Sequence, residues 1–470
     1  MAIRFGTSGW RAIIADEFTF ASVRGVTQAI CEYLRRSGAR GGGSVIVGYD
    51  TRFLGEKFAA ECVKEISAQN FRALLCDHPT PTPTISHAIR KESAVGGINF
   101  TASHNPPEYN GMKFSTADGA PALPEITKQV EQLIGESQQR GDQAVKASSE
   151  GGSFEPYDPR PAYLGDLAKK VDFGAITRAG GRYAYDPLWG TGRGYLDQAL
   201  RANGLEVETI HDWRDVMFGG RSPEPDSSHL DELREVVASN GCALGLATDG
   251  DSDRFGVLDA DGQFITPNQL IALLFDYLAE SRGWDGGVAR SVATSHLVDR
   301  VADARGLPLY ETPVGFKFIG ELINEDKIIL GGEESAGLSI KGHYPEKDGI
   351  LACLLAAEAV AARGASLSEQ LTALYRRVGR IESGRIGVRL TPALLVSLAE
   401  KLRREPEEIG GRRIQSTNRM DGVKFIFEDG SWLLMRPSGT EPLVRVYAET
   451  ESEKDLEVLL EQGRKYLLLG

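Results

Sequence analysis

The stretch Ala243-Leu244-Gly245-Leu246-Ala247-Thr248-Asp249-Gly250-Asp251-Ser252-Asp253-Arg254 decides the fold, because an apolar run passes directly into a loop of alternating aspartates. A short apolar run bounded by turn residues is typical of a strand buried inside a sheet. Open parallel sheets bind their ligands just beyond the carboxyl ends of the strands. The loop that starts at Asp249 is therefore a candidate functional site.

The same rhythm of strand, helix, strand, helix and strand occurs three times along the chain. The rounds end near residues 98, 247 and 330, and each is followed at once by a polar loop. This alternation predicts α/β units built on parallel strands. The strands are expected at 45–47, 73–76, 95–98, 183 onward, 205–210, 243–247, 288–293, 307–310 and 328–330, and the helices at 56–68, 193–202, 230–238, 297–304 and 316–323.

The last part of the chain has a different pattern. From Glu382 onward a strand, a helix, paired strands around a turn at 428–430 and a final helix at 451–468 predict a smaller α+β domain. We expect a multidomain α/β protein with a shared cleft and domains at 1–153, 154–256, 257–376 and 377–470. Residues 135–152, rich in Ser, Gln and Gly, are expected to form a surface excursion before the first boundary.

The composition limits the classes of function. The chain has 470 residues, of which 41% are hydrophobic and 25% charged, as in an ordinary globular protein. A net charge of -13 disfavours nucleic acid as a partner, because binding to nucleic acid needs a basic face. The most apolar stretch, 350–362, is too short to cross a bilayer and includes Glu358, so we expect a buried helix and no membrane role.

The cysteines and the N-terminus add two further expectations. Five scattered cysteines without a C-x-x-C pair argue against a disulfide framework and a zinc site, and we expect them in the core. The first five residues lack a basic flank followed by an apolar run, so we expect no signal peptide and a cytoplasmic location.

The first polar loop offers a nucleophile. Ser103 lies on a predicted rigid turn after a strand, with His104 and Lys113 close enough in sequence to polarise or neutralise a phosphoryl group on its hydroxyl. A simple turn is the alternative, because Ser, Asn and Pro all favour turns. The G-x-S-x-G pattern of serine hydrolases is absent from the sequence, so acyl transfer is disfavoured.

The second loop offers a metal site. If the loop is extended, the alternating Asp249, Asp251 and Asp253 point to one side, and three hard oxygens without His or Cys suit Mg²⁺. Arg254 is then available to hold the same phosphate. A solvated acidic turn is the alternative, and an EF-hand is excluded because its sixth position is Arg254 instead of glycine.

The third loop offers acceptors for sugar hydroxyls. Glu333 and Ser335 supply a carboxylate and a hydroxyl between glycines. A charged helix entry explains the same residues equally well. Further on, His343 and the turn at 346–349 add a possible acid/base pair.

The fourth loop offers donors for a phosphate. A guanidinium, hydroxyls and exposed backbone N–H groups suit a phosphate dianion, with a basic turn as the alternative. Neither a Walker A sequence nor a full G-x-G-x-x-G occurs, so nucleotide binding has little support. The residues that form this candidate site are Arg436, Ser438, Gly439, Thr440 and Arg445.

The four loops in this order resemble the α-D-phosphohexomutase superfamily. The resemblance includes Phe5-Gly6-Thr7-Ser8-Gly9-Trp10-Arg11 and Val47-Gly48-Tyr49-Asp50-Thr51-Arg52 and covers essentially the whole chain. It implies four domains around a central cleft, the first three being similar mixed-sheet α/β units. It also implies a phosphoserine at Ser103 and one Mg²⁺ per chain, bound by that residue with Asp249, Asp251 and Asp253.

The resemblance further implies an enzyme that moves a phosphoryl group within a sugar phosphate through a bisphosphate, with glucose 1,6-bisphosphate as activator. It places Arg11, Lys113 and Arg254 at the phosphoryl-transfer end. Lys347 is the expected general base in preference to His104. The expected contacts to the sugar and to its non-reacting phosphate are Glu333, Ser335, Gly315, Arg436, Ser438, Gly439, Thr440 and Arg445.

The third loop favours glucose as the sugar. Members that use both glucose and mannose resemble Gly-Glu-Met-Ser-Gly-His here, whereas this chain has Gly-Glu-Glu-Ser and ends the loop in Gly337. The run at 311–317 and the turn at 347–349 are also similar to glucose-type phosphoglucomutases. A phosphomannomutase, a dual-specificity enzyme and a phosphopentomutase are the nearest alternatives. A haloacid-dehalogenase phosphatase and a non-catalytic sugar-phosphate sensor are alternatives of other classes, and we expect a monomer or a homodimer.

Overall fold

A computed structural model describes residues 3–6, 8–39, 41–139, 154–438 and 443–469 of the chain. Four separate sheets follow one another along the sequence. The first three mix parallel and antiparallel strands, and in the fourth every strand pair is antiparallel. The predicted fold class is confirmed.

The first sheet has six strands in the order β1-β5-β4-β2-β3-β6. β1 and β5 run antiparallel to their neighbours, and the other pairs are parallel. The elements are β1 (Trp10–Ile13), α1 (Phe20–Arg36), β2 (Ser44–Tyr49), α2 (Gly55–Ala68), β3 (Arg72–Cys76), α3 (Thr82–Lys91), β4 (Gly96–Phe100), β5 (Tyr109–Thr116), α4 (Pro124–Gln139) and β6 (Phe154–Tyr157).

The second sheet has five strands in the order β11-β10-β9-β7-β8. Its elements, besides a short 3-10 helix at Phe218–Gly220, are α5 (Arg160–Lys170), α6 (Phe173–Ala179), β7 (Arg182–Asp186), α7 (Leu196–Ala202), β8 (Glu206–Thr209), α8 (Asp231–Asn240), β9 (Leu244–Thr248), β10 (Phe255–Asp259) and β11 (Phe264–Ile265).

The third sheet has four strands in the order β13-β12-β14-β15. Its elements are α9 (Pro267–Ser281), β12 (Gly287–Ser291), α10 (Leu297–Arg305), β13 (Leu309–Thr312), α11 (Phe316–Asn324), β14 (Ile328–Glu333), β15 (Gly337–Ile340), α12 (Gly349–Arg363) and α13 (Leu367–Val378).

The fourth sheet has the order β16-β21-β20-β19-β18-β17. Its elements are β16 (Glu382–Arg389), α14 (Pro392–Arg403), β17 (Glu408–Ile409), β18 (Arg412–Asn418), β19 (Val423–Phe427), β20 (Trp432–Pro437), β21 (Leu443–Thr450) and α15 (Glu453–Leu469).

The first three sheets share one central pattern of four strands. The orders β5-β4-β2-β3, β10-β9-β7-β8 and β15-β14-β12-β13 have the same connections. In each, the strand before the polar loop pairs in parallel with one neighbour, and the strand after the loop pairs with it in antiparallel on its other side. Both ends of every functional loop in these three units are therefore fixed in a sheet.

Several local expectations differ from the structure. The helix expected at 193–202 begins only at Leu196, because Gly192 and Gly194 open the segment as a turn. Within the expected excursion at 135–152, helix α4 continues to Gln139, and residues 140–152 lie outside the described residues. The domain boundaries stay a prediction, although β6 pairs with the first sheet and β10 crosses residue 256.

The apolar segment at 350–362 forms the buried helix α12, as predicted. It belongs to a core that runs through the second and third units. Among the described residues no single helix is long and apolar enough to cross a membrane; only the bent pair α12 and α13, at 77°, has that length and composition. All five cysteines are buried and free, which confirms that they are core thiols.

Candidate active site

The first and second loops meet at the nucleophile candidate. The buried Ser103 hydroxyl donates a hydrogen bond to Asp249 Oδ2 at 2.7 Å. Gly250 allows this approach, because a Cβ atom there would lie 2.7 Å from the Ser103 carbonyl oxygen. A serine from the first unit and an aspartate from the second are thus held in one site.

Each of the three related loops contains one residue that is not glycine and has a left-handed backbone. The φ angles are 53° at Ser103, 59° at Ser252 and 68° at Ala336. Side chains with a Cβ atom rarely adopt this conformation, and such residues cluster at functional sites. The aspartate loop is therefore a turn and not the extended segment that we expected.

The Ser103 loop is held from behind by Arg52. This fully buried guanidinium donates to Asp50 Oδ2 at 3.1 Å. It also donates to four carbonyl oxygens of the loop, those of residues 103, 105, 106 and 109, at 2.6 to 3.0 Å. Burial raises the pKa of Asp50 to about 6, although Arg52 opposes that shift. Arg52 therefore fixes the backbone on which Ser103 lies.

The three aspartates converge as predicted. Asp249, Asp251 and Asp253 are buried and each supplies an oxygen within 4.8 Å of the others. Lys113 Nζ donates to Oδ2 of Asp251 at 2.6 Å and of Asp253 at 2.7 Å, and the Thr82 hydroxyl donates to the same Asp251 oxygen. The Oδ1 atoms of Asp251 and Asp253 are buried and accept no hydrogen bond from the described residues. Three buried carboxylates, two of which each keep an oxygen free of hydrogen bonds from the described residues, fit a divalent cation such as Mg²⁺.

The pKa values of Asp249 and Asp253 are shifted in opposite directions. Burial and the other two aspartates raise the pKa of Asp249 well above its usual range. Burial would also raise the pKa of Asp253, but Lys113, Lys347 and Arg254 outweigh it and hold that pKa well below its usual range. The surrounding cations thus compensate for the negative charge of the cluster.

Arg11 and His104 belong to the same site as the serine. Arg11 Nη1 donates to Asn105 Oδ1 at 2.6 Å, and burial together with Arg254 lowers the pKa of Arg11 to about 10. His104 Nδ1 lies 3.4 Å from Ser103 Oγ. Burial, then Arg254 and Arg11, lowers the pKa of His104 well below its usual value, so its ring is neutral at pH 7.

The third loop is a turn between β14 and β15, so the alternative of a charged helix entry is wrong. Glu333 is buried and its Oε1 accepts a hydrogen bond from Gly315 N at 2.7 Å. Burial and the neighbouring Glu334 raise the pKa of Glu333 to about 7. Ser335 lines a cavity of about 180 Å³ together with Arg254 and Tyr447, so the second, third and fourth units all border it.

The fourth loop is connected to the third unit through Asp421. Its Oδ2 accepts from Arg436 Nε at 2.8 Å and from Val314 N at 3.1 Å. Arg445 lies opposite Arg436 in the sheet, and its charge contributes to the low pKa of His104. Ser438 follows β20, whereas Gly439 and Thr440 lie outside the described residues.

The expected acid/base pair around His343 is not in the site. His343 Nε2 lies 2.8 Å from Asp348 Oδ2, which also accepts from the Tyr163 hydroxyl at 2.7 Å, and all three side chains are buried. The other oxygen of Asp348 caps helix α12. These residues are structural, whereas Lys347 points the other way and pairs with Asp253 at 2.9 Å.

The structure therefore brings most of the expected residues to one site, and it adds three that the sequence did not indicate. Arg52 was part of a recognised segment but had no assigned role, and neither Thr82 nor Asp421 lies in a recognisable pattern. The residues that share the Ser103 site are Arg11, His104, Lys113, Asp249, Asp251, Asp253, Arg254 and Lys347.

Three related mixed sheets, an antiparallel fourth sheet and a buried serine facing three aspartates define an α/β enzyme built to hold a phosphoryl group. Family profiles described as phosphoglucomutase/phosphomannomutase match the chain in order: α/β/α domain I at 2–141, domain II at 161–262, domain III at 266–378 and the C-terminal domain at 396–465. The chain belongs to this family, within the α-D-phosphohexomutase superfamily, and is a phosphohexomutase.

Relatives with different names are about equally similar. A phosphoglucomutase/phosphomannomutase of Thermococcus kodakarensis is 32% identical, over 99% of this chain and 97% of that protein. A phosphoglucomutase of Komagataeibacter xylinus is 32% identical, over 95% and 87%. A protein of Methanopyrus kandleri, provisionally named as a phosphoglucosamine mutase, is 31% identical, over 96% and 94%.

A solved structure supports the same assignment. A protein of Thermus thermophilus, provisionally named as a phosphomannomutase, superposes with a TM-score of 0.86 at 34% identity and covers 99% of both chains.

Proposed function

We propose that this chain is a phosphoglucomutase that interconverts glucose 1-phosphate and glucose 6-phosphate through a phosphoserine at Ser103. The observation that carries the proposal is the buried Ser103 hydroxyl, which lies 2.7 Å from Asp249 Oδ2. Beside it are two aspartate oxygens that accept no hydrogen bond from the described residues, and cationic side chains that include Arg11 and Lys113. A phosphatase with Asp249 as nucleophile would leave Ser103 and the fourth loop without a role.

One catalytic cycle moves a phosphoryl group from Ser103 to the sugar and returns another to Ser103. The bond from phosphorus to Ser103 Oγ breaks, a bond from phosphorus to the free sugar hydroxyl forms, and the hydroxyl proton goes to a base. The product is glucose 1,6-bisphosphate. After this molecule has turned over in the cleft, its other phosphate returns to Ser103. A trace of the bisphosphate then acts as activator, because it restores phosphoserine in any molecule that has lost it.

The charges of the site suit a phosphoserine, which carries close to two negative charges. Asp249, Asp251 and Asp253, with the oxygen of Ser103, would hold one Mg²⁺. When bound, this ion neutralises charge on the transferring phosphoryl group. Arg11, Lys113 and Arg254 add positive charge at the same end, so that a neutral hydroxyl can approach an anionic group.

The two candidates for proton transfer lie on different sides. Lys347 packs on Gly337 at the end of the third loop and pairs with Asp253 as an ammonium group. We propose that, after giving up one proton, its amine accepts the proton of the incoming sugar hydroxyl. His104 lies on the side of the Ser103 oxygen instead, with its Nδ1 at 3.4 Å and its ring neutral at pH 7. We assign the sugar contacts to Glu333, Ser335 and Gly315, and the non-reacting phosphate to Arg436, Ser438, Gly439, Thr440 and Arg445.

Glucose is the sugar that we propose, because of the sequence of the third loop and the similarity to the Komagataeibacter phosphoglucomutase. Mannose and glucosamine are the second candidates, because relatives of nearly equal identity carry those names. A pentose phosphate is a further alternative.

Initial rates test both parts of the proposal. Glucose, mannose and glucosamine 1-phosphates are compared, each with Mg²⁺ and a trace of the matching bisphosphate, for wild type, Ser103→Ala and the control Ser86→Ala. Ser86 is also buried in the first unit, but it donates to the Gly119 carbonyl oxygen. We expect wild type and Ser86→Ala to be fastest with glucose 1-phosphate. We expect Ser103→Ala to lose this activity and, by intact mass, to carry no phosphoryl group. Equal rates would contradict the choice of glucose, and full activity in Ser103→Ala would contradict the phosphoserine.

A further inference from the structure

The side chain of Lys347 fills the space that a side chain on Gly337 would need. A Cβ atom on Gly337 would overlap Cδ of Lys347 and would lie 2.7 Å from its Cγ. Real Cβ contacts are essentially never this short, and the conflict involves the middle of the lysine side chain instead of its mobile end. A side chain at 337 and the present position of the lysine therefore exclude each other.

The backbone of Gly337 does not itself require glycine. Its φ angle lies outside the left-handed region, whereas Ala336 directly before it has a φ of 68° without being glycine. Gly337 pairs with Glu333 as the first residue of β15, a conformation that any residue can adopt. Glycine at 337 therefore leaves room for a neighbouring side chain and is not needed for its backbone conformation.

Hydrogen bonds hold the backbone around Lys347 in place. On one side Asp348 N donates to the Leu338 carbonyl oxygen at 2.9 Å, and Gly349 N donates to the Ser252 carbonyl oxygen at 3.0 Å. On the other side Lys347 N donates to Glu346 Oε1 at 2.9 Å. The Lys347 side chain is therefore the part expected to move, and displacing its stem disturbs the 2.9 Å pairing of its ammonium group with Asp253.

We propose that Gly337 is a positioning residue, whose missing side chain makes the space that directs Lys347 from the end of the sugar-binding loop to Asp253. This inference rests on the proposed function, in which Lys347 belongs to the active site beside Asp253.

The test combines Gly337→Ala with two lysine variants. Lys347→Met keeps the volume of the stem without the amine, whereas Lys347→Ala removes the stem. The control Gly165→Ala lies in helix α5 with open space around the new methyl group. Each protein is measured for Tm and for kcat and KM with glucose 1-phosphate.

We expect Gly337→Ala to lower kcat about 100-fold, the effect of misplacing a catalytic group by about 1 Å, with KM little changed. We also expect it to lower Tm in wild type and in Lys347→Met but not in Lys347→Ala, and to add no further loss of kcat to Lys347→Ala. A Tm loss that persists in Lys347→Ala would overturn the steric argument. If Lys347→Ala keeps wild-type kcat, the proposed role of the lysine fails, and the Tm pattern still judges the positioning separately.

Discussion

Replacing Arg52 by methionine tests whether the Ser103 loop depends on one buried guanidinium. The substitution removes hydrogen bonds to four loop carbonyl oxygens and the partner of Asp50. We expect a large loss of kcat and of stability, because the nucleophile loses its fixed backbone and a buried carboxylate loses its counter-charge.

The size of the stability loss follows from the burial of the pair. Both Asp50 and Arg52 are fully buried, and breaking such a pair typically costs about 3–5 kcal/mol. For a folding unit of 150–250 residues this corresponds to a fall in Tm of roughly 6–20 °C. Burial raises the pKa of Asp50 to about 6 even with Arg52 present, so in Arg52→Met the Asp50 carboxyl takes up a proton more readily. The stability difference between wild type and Arg52→Met is therefore expected to shrink as the pH falls from 8 to 5.

Thermal melts between pH 5 and pH 8, kcat measurements and hydrogen exchange of residues 103–109 together check this prediction. Arg52→Lys is expected to recover little, since an ammonium has three donors and lacks the planar fork. The double variant Asp50→Asn/Arg52→Met is expected to regain stability but not kcat. Arg214→Met, whose partly exposed guanidinium donates to the backbone nearby, is the control. Wild-type kcat and loop protection in Arg52→Met would refute the reasoning.

Two further predictions concern the metal site and the sugar loop. Thr82→Val removes the hydroxyl that donates to Asp251 and is expected to weaken Mn²⁺ binding about 10–100-fold by calorimetry, as for other partners of metal ligands. Thr84→Val is its control, because the buried Thr84 hydroxyl has no hydrogen-bond partner among the described residues; equal binding by both variants would contradict the assignment. The pKa of Glu333 is raised from 4.5 to about 7, so wild type loses stability as the pH rises from 4.5 through 7. Glu333→Gln is therefore expected to gain about 3 kcal/mol relative to wild type above pH 7 and nothing below pH 4.5, and a Tm difference independent of pH would count against it.

Local patterns were sufficient to predict the strands that lead into the functional loops. The apolar run at β9, for example, is bounded by turn residues, and the aspartates follow it directly. The antiparallel strands that leave these loops were harder to find. β5 carries Asn110 and Lys113 among its buried residues, so a polar side chain that serves the site interrupts the expected apolar pattern.

Contacts between distant parts of the chain could not be predicted from sequence patterns. Thr82 and Asp251 are separated by 169 positions, and Val314 and Asp421 by 107. No residue near Thr82 or Asp421 marks it as a partner of the site, because the contact exists only after separate sheets have packed together. The convergence of the three aspartates was predicted from an extended loop. The loop is instead a turn, because Ser252 has a left-handed backbone.

The left-handed residues at 103, 252 and 336 lower the stability of this fold. Each costs roughly 1–2 kcal/mol, so the three together forfeit on the order of 3–6 kcal/mol. That sum is comparable to the whole net stability of a typical domain, about 5–15 kcal/mol. The packing of the three sheets has to offset this cost, and substitutions that relieve it to raise heat resistance would alter the same turns that present the nucleophile, the aspartates and the sugar loop.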